Sequence, residues 1–124
     1  MDKSLAGFEV FERFVHKRSA RYKPVPRLVL LRSGRLFFNG VVYTGLGAPQ
    51  SVVFLWNTDT REFGMRVATA GEYGYRVLRH DDDRYSVSAT AFCKKYDIPH
   101  GRARRFDARI EDRRVLAPAP AQER

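Results

Sequence analysis

The side chains able to do chemistry are few and widely scattered. His16, His80 and His100 are the three histidines and Cys93 the single cysteine. Each stands far from the next, so no CxxC or HxxxH spacing exists to hold a metal. Cys93 falls beside Phe92 at an apolar position of a helix predicted over 89–96, where a small buried hydrophobe is expected rather than a nucleophile. Asp81-Asp82-Asp83 offers carboxylates to a divalent cation, but with Arg79, His80 and Arg84 alongside it reads as a charged hairpin tip. Gly45-Leu46-Gly47 lacks the lysine and third glycine of a phosphate-cradling loop and reads as a helix stop. No two carboxylates have a spacing suited to acid and base roles. The expectation is a protein that is not an enzyme and takes no metal, cofactor or small-molecule substrate.

Charge points to a different kind of chemistry. Lys and Arg number 23 against 14 Asp and Glu, a net charge of +9, and such an excess most often meets a polyanion. Arginine outnumbers lysine, which suits bidentate phosphate contacts. One basic cluster is Arg13 to Arg27, RFVHKRSARYKPVPR, with Arg18, Arg21 and Lys23 among its cations and no acid. Pro24 and Pro26 favour an extended arm there, read either as a phosphate-tracking element or as a solvated linker beside an edge strand. The other cluster holds Lys94, Lys95, Arg102, Arg104 and Arg105 and runs on through Arg109, Arg113 and Arg114. Arg102 and Arg104 are expected on one face of an extended segment, with Phe106 and Ile110 turned inward. The candidate nucleic-acid contacts are Arg18, Arg21, Lys23, Arg27, Arg32, Arg35, Lys94, Lys95, Arg102, Arg104 and Arg105. Most phenylalanines sit at core-periodic positions, leaving Tyr22, Tyr73 and Tyr75 as the loop aromatics free to stack.

The elements that must position these residues are short strands. With 44% hydrophobic and 13% aromatic residues, the chain can bury a core. The N-terminus MDKSLAGFEVFERF carries charge where a signal peptide needs an apolar run, and no stretch is long enough for a membrane span. A cytoplasmic, nucleoid-associated setting without membrane contact is expected. Residues 8–15 fit a strand or a helical stripe, with the strand favoured. Leu28 to Arg32 is a strand, Ser33-Gly34 a turn and Arg35 to Phe38 the returning strand. Asn39 caps a short helix that stops at Gly45-Leu46-Gly47. Val52 to Trp56 reads as a central strand, Asn57 to Thr60 as a turn, and Glu62 to Ala68 as a strand with Phe63, Met65 and Val67 on one face. After a break at Gly71 to Gly74 come Tyr75 to Leu78 and Arg84 to Val87 as a hairpin.

The earlier order then recurs about fifty residues on. Ser88 stands in Asn39's place, Phe92 in Tyr43's and Pro99 in Pro49's; Phe106 to Ile110 answers Val52 to Trp56, and Val115-Leu116 answers Phe63 to Val67. The expected fold is mainly β, a β-rich α+β arrangement. It has two tandem strand–short helix–hairpin units sharing one core about a pseudo-two-fold axis. The divisions are an N-terminal strand and basic arm over 1–27, units over 28–70 and 71–116, and a disordered tail over 117–124.

Gly34-Arg35, Leu46-Gly47, Val52 to Trp56 and Phe63 to Val67 together resemble the AbrB-type swapped-hairpin regulators of bacteria, and the tandem layout resembles their MraZ branch. The chain is also similar to small uncharacterised actinobacterial and phage-associated proteins that begin with the same Phe-Glu-Val-Phe. The regulator resemblance implies duplex DNA binding, transcription regulation, a homodimer and a DNA contact at Arg35. It departs at Asn39 and Ser88, where those regulators carry proline. It departs again at Val42-Tyr43, where they carry an arginine pair that only Lys94-Lys95 approximates. The alternative expectation is a non-enzymatic protein–protein interaction module, an adaptor or phage-conflict protein whose basic arm orders on contact.

Overall fold

A computed structural model of the chain describes residues 25–120. The expected N-terminal strand, the arm residues Arg18, Arg21 and Lys23, and the end of the tail lie outside the described residues. Among the described residues ten strands and two short helices follow one another. They are β1 (Arg27–Leu30), β2 (Arg35–Phe38), α1 (Gly40–Gly45), β3 (Ser51–Asn57), β4 (Glu62–Val67), β5 (Tyr75–Arg76), β6 (Leu78–Asp81), β7 (Arg84–Ser88), α2 (Thr90–Tyr96), β8 (Arg104–Asp107), β9 (Arg109–Glu111) and β10 (Arg114–Pro118). The fold is mainly β, with two five-stranded antiparallel sheets. Sheet A runs β6-β7-β2-β1-β8 and sheet B runs β5-β3-β4-β10-β9.

Alternation fixes which face of each strand is buried. Leu28 and Leu30 of β1, Leu36 and Phe38 of β2, Tyr85 and Val87 of β7 and Phe106 of β8 point inward from sheet A. Val52, Phe63, Met65, Val115 and Ala117 meet them from sheet B, and all belong to one buried cluster. Both sheets draw strands from the two halves of the chain, since β2 pairs with β7 and β4 with β10. The helices seal the ends of this core. Tyr43 of α1 stacks on Tyr85 at 4.0 Å between ring centroids. Phe92 of α2 stacks on Phe54 at 4.7 Å and Tyr96 stacks on Trp56 at 5.0 Å.

The turns tie the two halves together. Gly34 has φ +87°, and a Cβ there would lie 3.2 Å from the backbone Cα of Thr90. Only glycine fits both the left-handed turn and the close approach of α2. Asn39 caps α1 by accepting from the Val42 amide, and it also accepts from Arg27 N and donates to the Val25 carbonyl. It therefore fixes the entry of β1 as well as the helix start.

Several sequence expectations need correction. Ser88 does not cap α2; it ends β7 opposite Arg35, and Ala89 precedes the helix without a side-chain cap. Tyr75 to Leu78 is two strands, because Tyr75–Arg76 pairs with β3 while Leu78–Asp81 pairs with β7. Phe106 to Ile110 is likewise divided at Ala108, with β8 in sheet A and β9 in sheet B. β3 is central only over Ser51 and Val52, where β5 covers it. Val67 is 37% exposed rather than sharing the burial of Phe63 and Met65. The chain stays ordered past Leu116: Ala117 is fully buried opposite Phe63, and β10 runs to Pro118. A small residue carries no apolar signal in a sequence, yet it fills the space left by a phenylalanine across the ladder.

Candidate nucleic-acid interface

Inward burial of Leu28, Leu30, Leu36, Phe38, Tyr85 and Val87 turns the intervening residues to the outer face of sheet A. That face carries Arg27 and Val29 of β1, Arg35 and Phe37 of β2, Arg84 and Ser86 of β7, and Arg105 and Asp107 of β8. The ladder sets Arg105, Val29, Phe37 and Ser86 in one row across four strands.

Ser86 organises the centre of the face. It is fully buried, and its hydroxyl accepts from Arg35 Nε at 2.8 Å and meets His80 Nε2 at 2.7 Å. His80 in turn lies against Phe37, ring centroids 5.0 Å apart, and the Arg84 guanidinium sits 5.7 Å from the Phe37 ring centre. The Arg35 side chain is thereby held by its Nε, and its terminal nitrogens make no other bond among the described residues. A guanidinium pinned at one nitrogen presents its remaining donors in a fixed fork, the geometry that takes a phosphate.

A second basic group stands at the end of the same sheet. Arg32, in the β1–β2 turn, lines an open cavity of about 590 Å³ with Lys94, Asp97 and His100. His100 Nδ1 lies 3.4 Å from the Arg32 carbonyl, and exposed Arg102 stands two residues further along the chain. Lys95 is not part of this group. It turns the other way around α2, toward Tyr96, as adjacent helix residues do. Arg104 is also misplaced by the sequence reading: it shares the inward side of β8 with Phe106 and is partly buried, while Arg105 takes the outer face.

Ion pairing separates structural arginines from available ones. Arg66 binds Glu72, Arg79 binds Asp82, and Arg109 binds both Glu62 and Glu111. The Arg109 guanidinium holds the Glu62 carboxyl below the usual carboxylate range. Among the described residues no ion pair engages Arg27, Arg32, Arg35, Lys94, Lys95, Arg102 or Arg105. Phe37, His80, Arg84 and Ser86 were missed by the sequence reading. The Arg84–Ser86 alternation was legible, but the closeness of His80 to Ser86 depends on the register of β6 against β7.

The residues considered for catalysis are occupied otherwise. The Cys93 thiol is pushed up to about 11 by burial. Asp83 accepts from the Gly40 amide at 2.7 Å and so helps cap α1, while Asp81 accepts from the Asp83 amide and lies 3.7 Å from Arg84. Among the described residues no group of His, Cys, Asp and Glu is arranged to hold a metal ion, and no helix is long and apolar enough to cross a membrane. No family model, no curated protein and no solved structure matches the chain.

Proposed function

We propose that this protein is a small, non-enzymatic DNA-binding protein that engages duplex phosphates through the outer face of sheet A. The observation that carries the reading is the placement of Arg27, Arg35 and Arg105 on one face of sheet A, none of them ion-paired among the described residues, with Arg35 held by Ser86 and Asp107 the acid opposite Arg27. Arg84 adds a cation on the same face, and Arg32, Lys94 and Arg102 extend the charge past the β1–β2 turn.

Geometry limits how such a face meets a duplex. Five strands spaced by about 4.8 Å span roughly 19 Å, wider than the ~12 Å major groove. The sheet therefore lies across the backbone, where phosphate contacts give affinity, and sequence preference falls to the narrower β1–β2 turn with Arg32. Each half of the chain opens with a strand pair followed by a short helix, β1–β2–α1 and β6–β7–α2, and this supports the resemblance, although three strands follow α2 where the β3–β4 hairpin follows α1. Pairing of β2 with β7 and of β4 with β10 would supply within one chain the hairpin exchange that a dimer makes between two, so DNA contact needs no second copy.

The test is a binding titration of the purified protein against duplex DNA, single-stranded DNA and RNA over a salt series. Neutralisation of about five phosphates gives a log–log salt slope of roughly −4.5 and a loss of several hundred-fold between 50 and 200 mM salt.

A further inference from the structure

Among the described residues the four edge strands are β5, β6, β8 and β9, and each carries charge, Arg76 on the two-residue β5. β6 has Arg79, His80 and Asp81, β8 has Arg104, Arg105 and Asp107, and β9 has Arg109 and Glu111, the usual guard against pairing with another chain. The exception is the stretch of β3 beyond Val52, outside the reach of β5, where Val53, Phe54, Leu55 and Trp56 carry none.

Among the described residues no strand pairs with the outward side of that stretch of β3. The Ser51 carbonyl accepts from Ala68 on the β4 side, and the Gln50 carbonyl accepts from Val77 on the opposite side. N–H and C=O directions alternate along a strand, so Phe54 and Trp56 direct theirs away from β4. β5 covers only Ser51 and Val52, and at Gly74 the chain turns off before reaching Phe54. Beside this gap runs a groove of about 290 Å³, lined by Phe54, Tyr73, Tyr75, Phe92, Lys95 and Tyr96. Tyr73 at the rim of this groove is 99% exposed.

We propose that the open edge of β3 captures an extended segment of another protein, one that alternates apolar or aromatic residues with acidic ones and continues sheet B where β5 stops. Main-chain bonds to Phe54 and Trp56 give the pairing its direction, and the aromatic groove takes the alternate side chains. Charge selects the occupant. Lys95 is the one charged residue lining the groove, and the Arg61 guanidinium lies 5.2 Å from the Trp56 ring at its far end. A second copy would bring these cations together on two chains of net charge +9, whereas acidic residues would neutralise them. This surface is distinct from the outer face of sheet A, and the inference stands apart from the DNA-binding reading.

The test uses an acetylated peptide amide of sequence Glu-Val-Glu-Phe-Glu-Val, with a lysine-for-glutamate counterpart as control. The chain's single tryptophan is Trp56, so its emission reports occupancy of the edge directly. The expected result is saturable binding of the acidic peptide, at least about ten-fold tighter than the basic one. Amide exchange should slow at Phe54 and Trp56, with Val53 and Leu55, already facing β4, unchanged. Phe54→Pro removes the outward amide without touching the β4 ladder and should abolish binding. Should that variant fail to fold, Lys95→Glu on the exposed side of α2 should reverse the preference between the two peptides. Equal affinity for both peptides, or no slowing at Phe54 and Trp56, would overturn the proposal. A doubled mass in solution with those two amides already protected would assign the edge to a second copy instead.

Discussion

Single residues divide here into those that hold the fold and those left free to meet a partner. The acidic triplet belongs to the first kind. Asp83 reaches the Gly40 amide across 43 positions of sequence and helps satisfy the open end of α1. Asp83→Ala should cost about 1 kcal/mol of stability, the usual value of a lost cap, and leave DNA affinity unchanged when measured on the folded protein. Denaturant midpoints of the two proteins would check this. Gly64 is a stricter case, because a Cβ there would lie 2.0 Å from the Val115 carbonyl oxygen in the β4–β10 ladder. Gly64→Ala is expected to destabilise by about 2–4 kcal/mol or to prevent folding, read from the melting transition or the soluble yield. Cys93 is legible in the sequence as a buried small hydrophobe, and it is 2% exposed. Ser86 was not legible at all. Nothing in a serine between Tyr85 and Val87 announces that it will hold both Arg35 and His80, since both partners arrive through strand pairing.

At the scale of elements, turns and caps account for the pattern of successes. The β1–β2 hairpin, α1 with its Asn39 cap, and the β3–β4 hairpin each carry local signals, and each forms where those signals place it. The second half is harder, because its signals are tertiary. The segment after α2 reads as one strand, yet Phe106 pairs with Leu28 in sheet A while Ile110 pairs with Val115 in sheet B. The β9–β10 turn shows the local cost of this arrangement. Asp112 and Arg113 have φ of 56° and 60°, so both occupy the left-handed region that a two-residue hairpin loop requires and arginine disfavours. Arg113→Gly should therefore raise stability by about 1 kcal/mol, checked by chemical denaturation. The loop between β4 and β5 depends on a single carboxylate. Glu72 is held to about 2 by the Arg66 guanidinium, then by the Thr69 amide and hydroxyl. A depressed carboxylate stabilises the folded state above its ordinary value and loses that contribution as pH falls through the folded one. The loop should accordingly loosen as pH drops from 4.5 toward 2, seen as rising exchange of the Thr69 amide, and Glu72→Gln should remove that pH dependence.

For the whole molecule, each sheet combines strands from both halves of one chain. Sheet A gathers cations on its outer face, and sheet B leaves one apolar edge open. The sequence places the contacts in an N-terminal arm over 13–27, at Arg32 and Arg35, and on a basic face over 94–105. The fold sets Arg27, Arg35 and Arg105 on one face of sheet A, brings Arg32 near Lys94, turns Lys95 away and draws Arg104 inward. That regrouping follows from strand parity and from the β8–β1–β2 order, neither of which linear charge clustering can express. Binding of duplex phosphates by the outer face of sheet A is tested most directly by the salt dependence of duplex DNA affinity for the native chain beside Arg35→Gln and Arg105→Gln. Each substitution should weaken binding on any DNA sequence and reduce the steepness of the log–log salt slope by about 0.9. Slopes and affinities equal to those of the native chain in both variants, or no duplex binding at 50 mM salt, would contradict it.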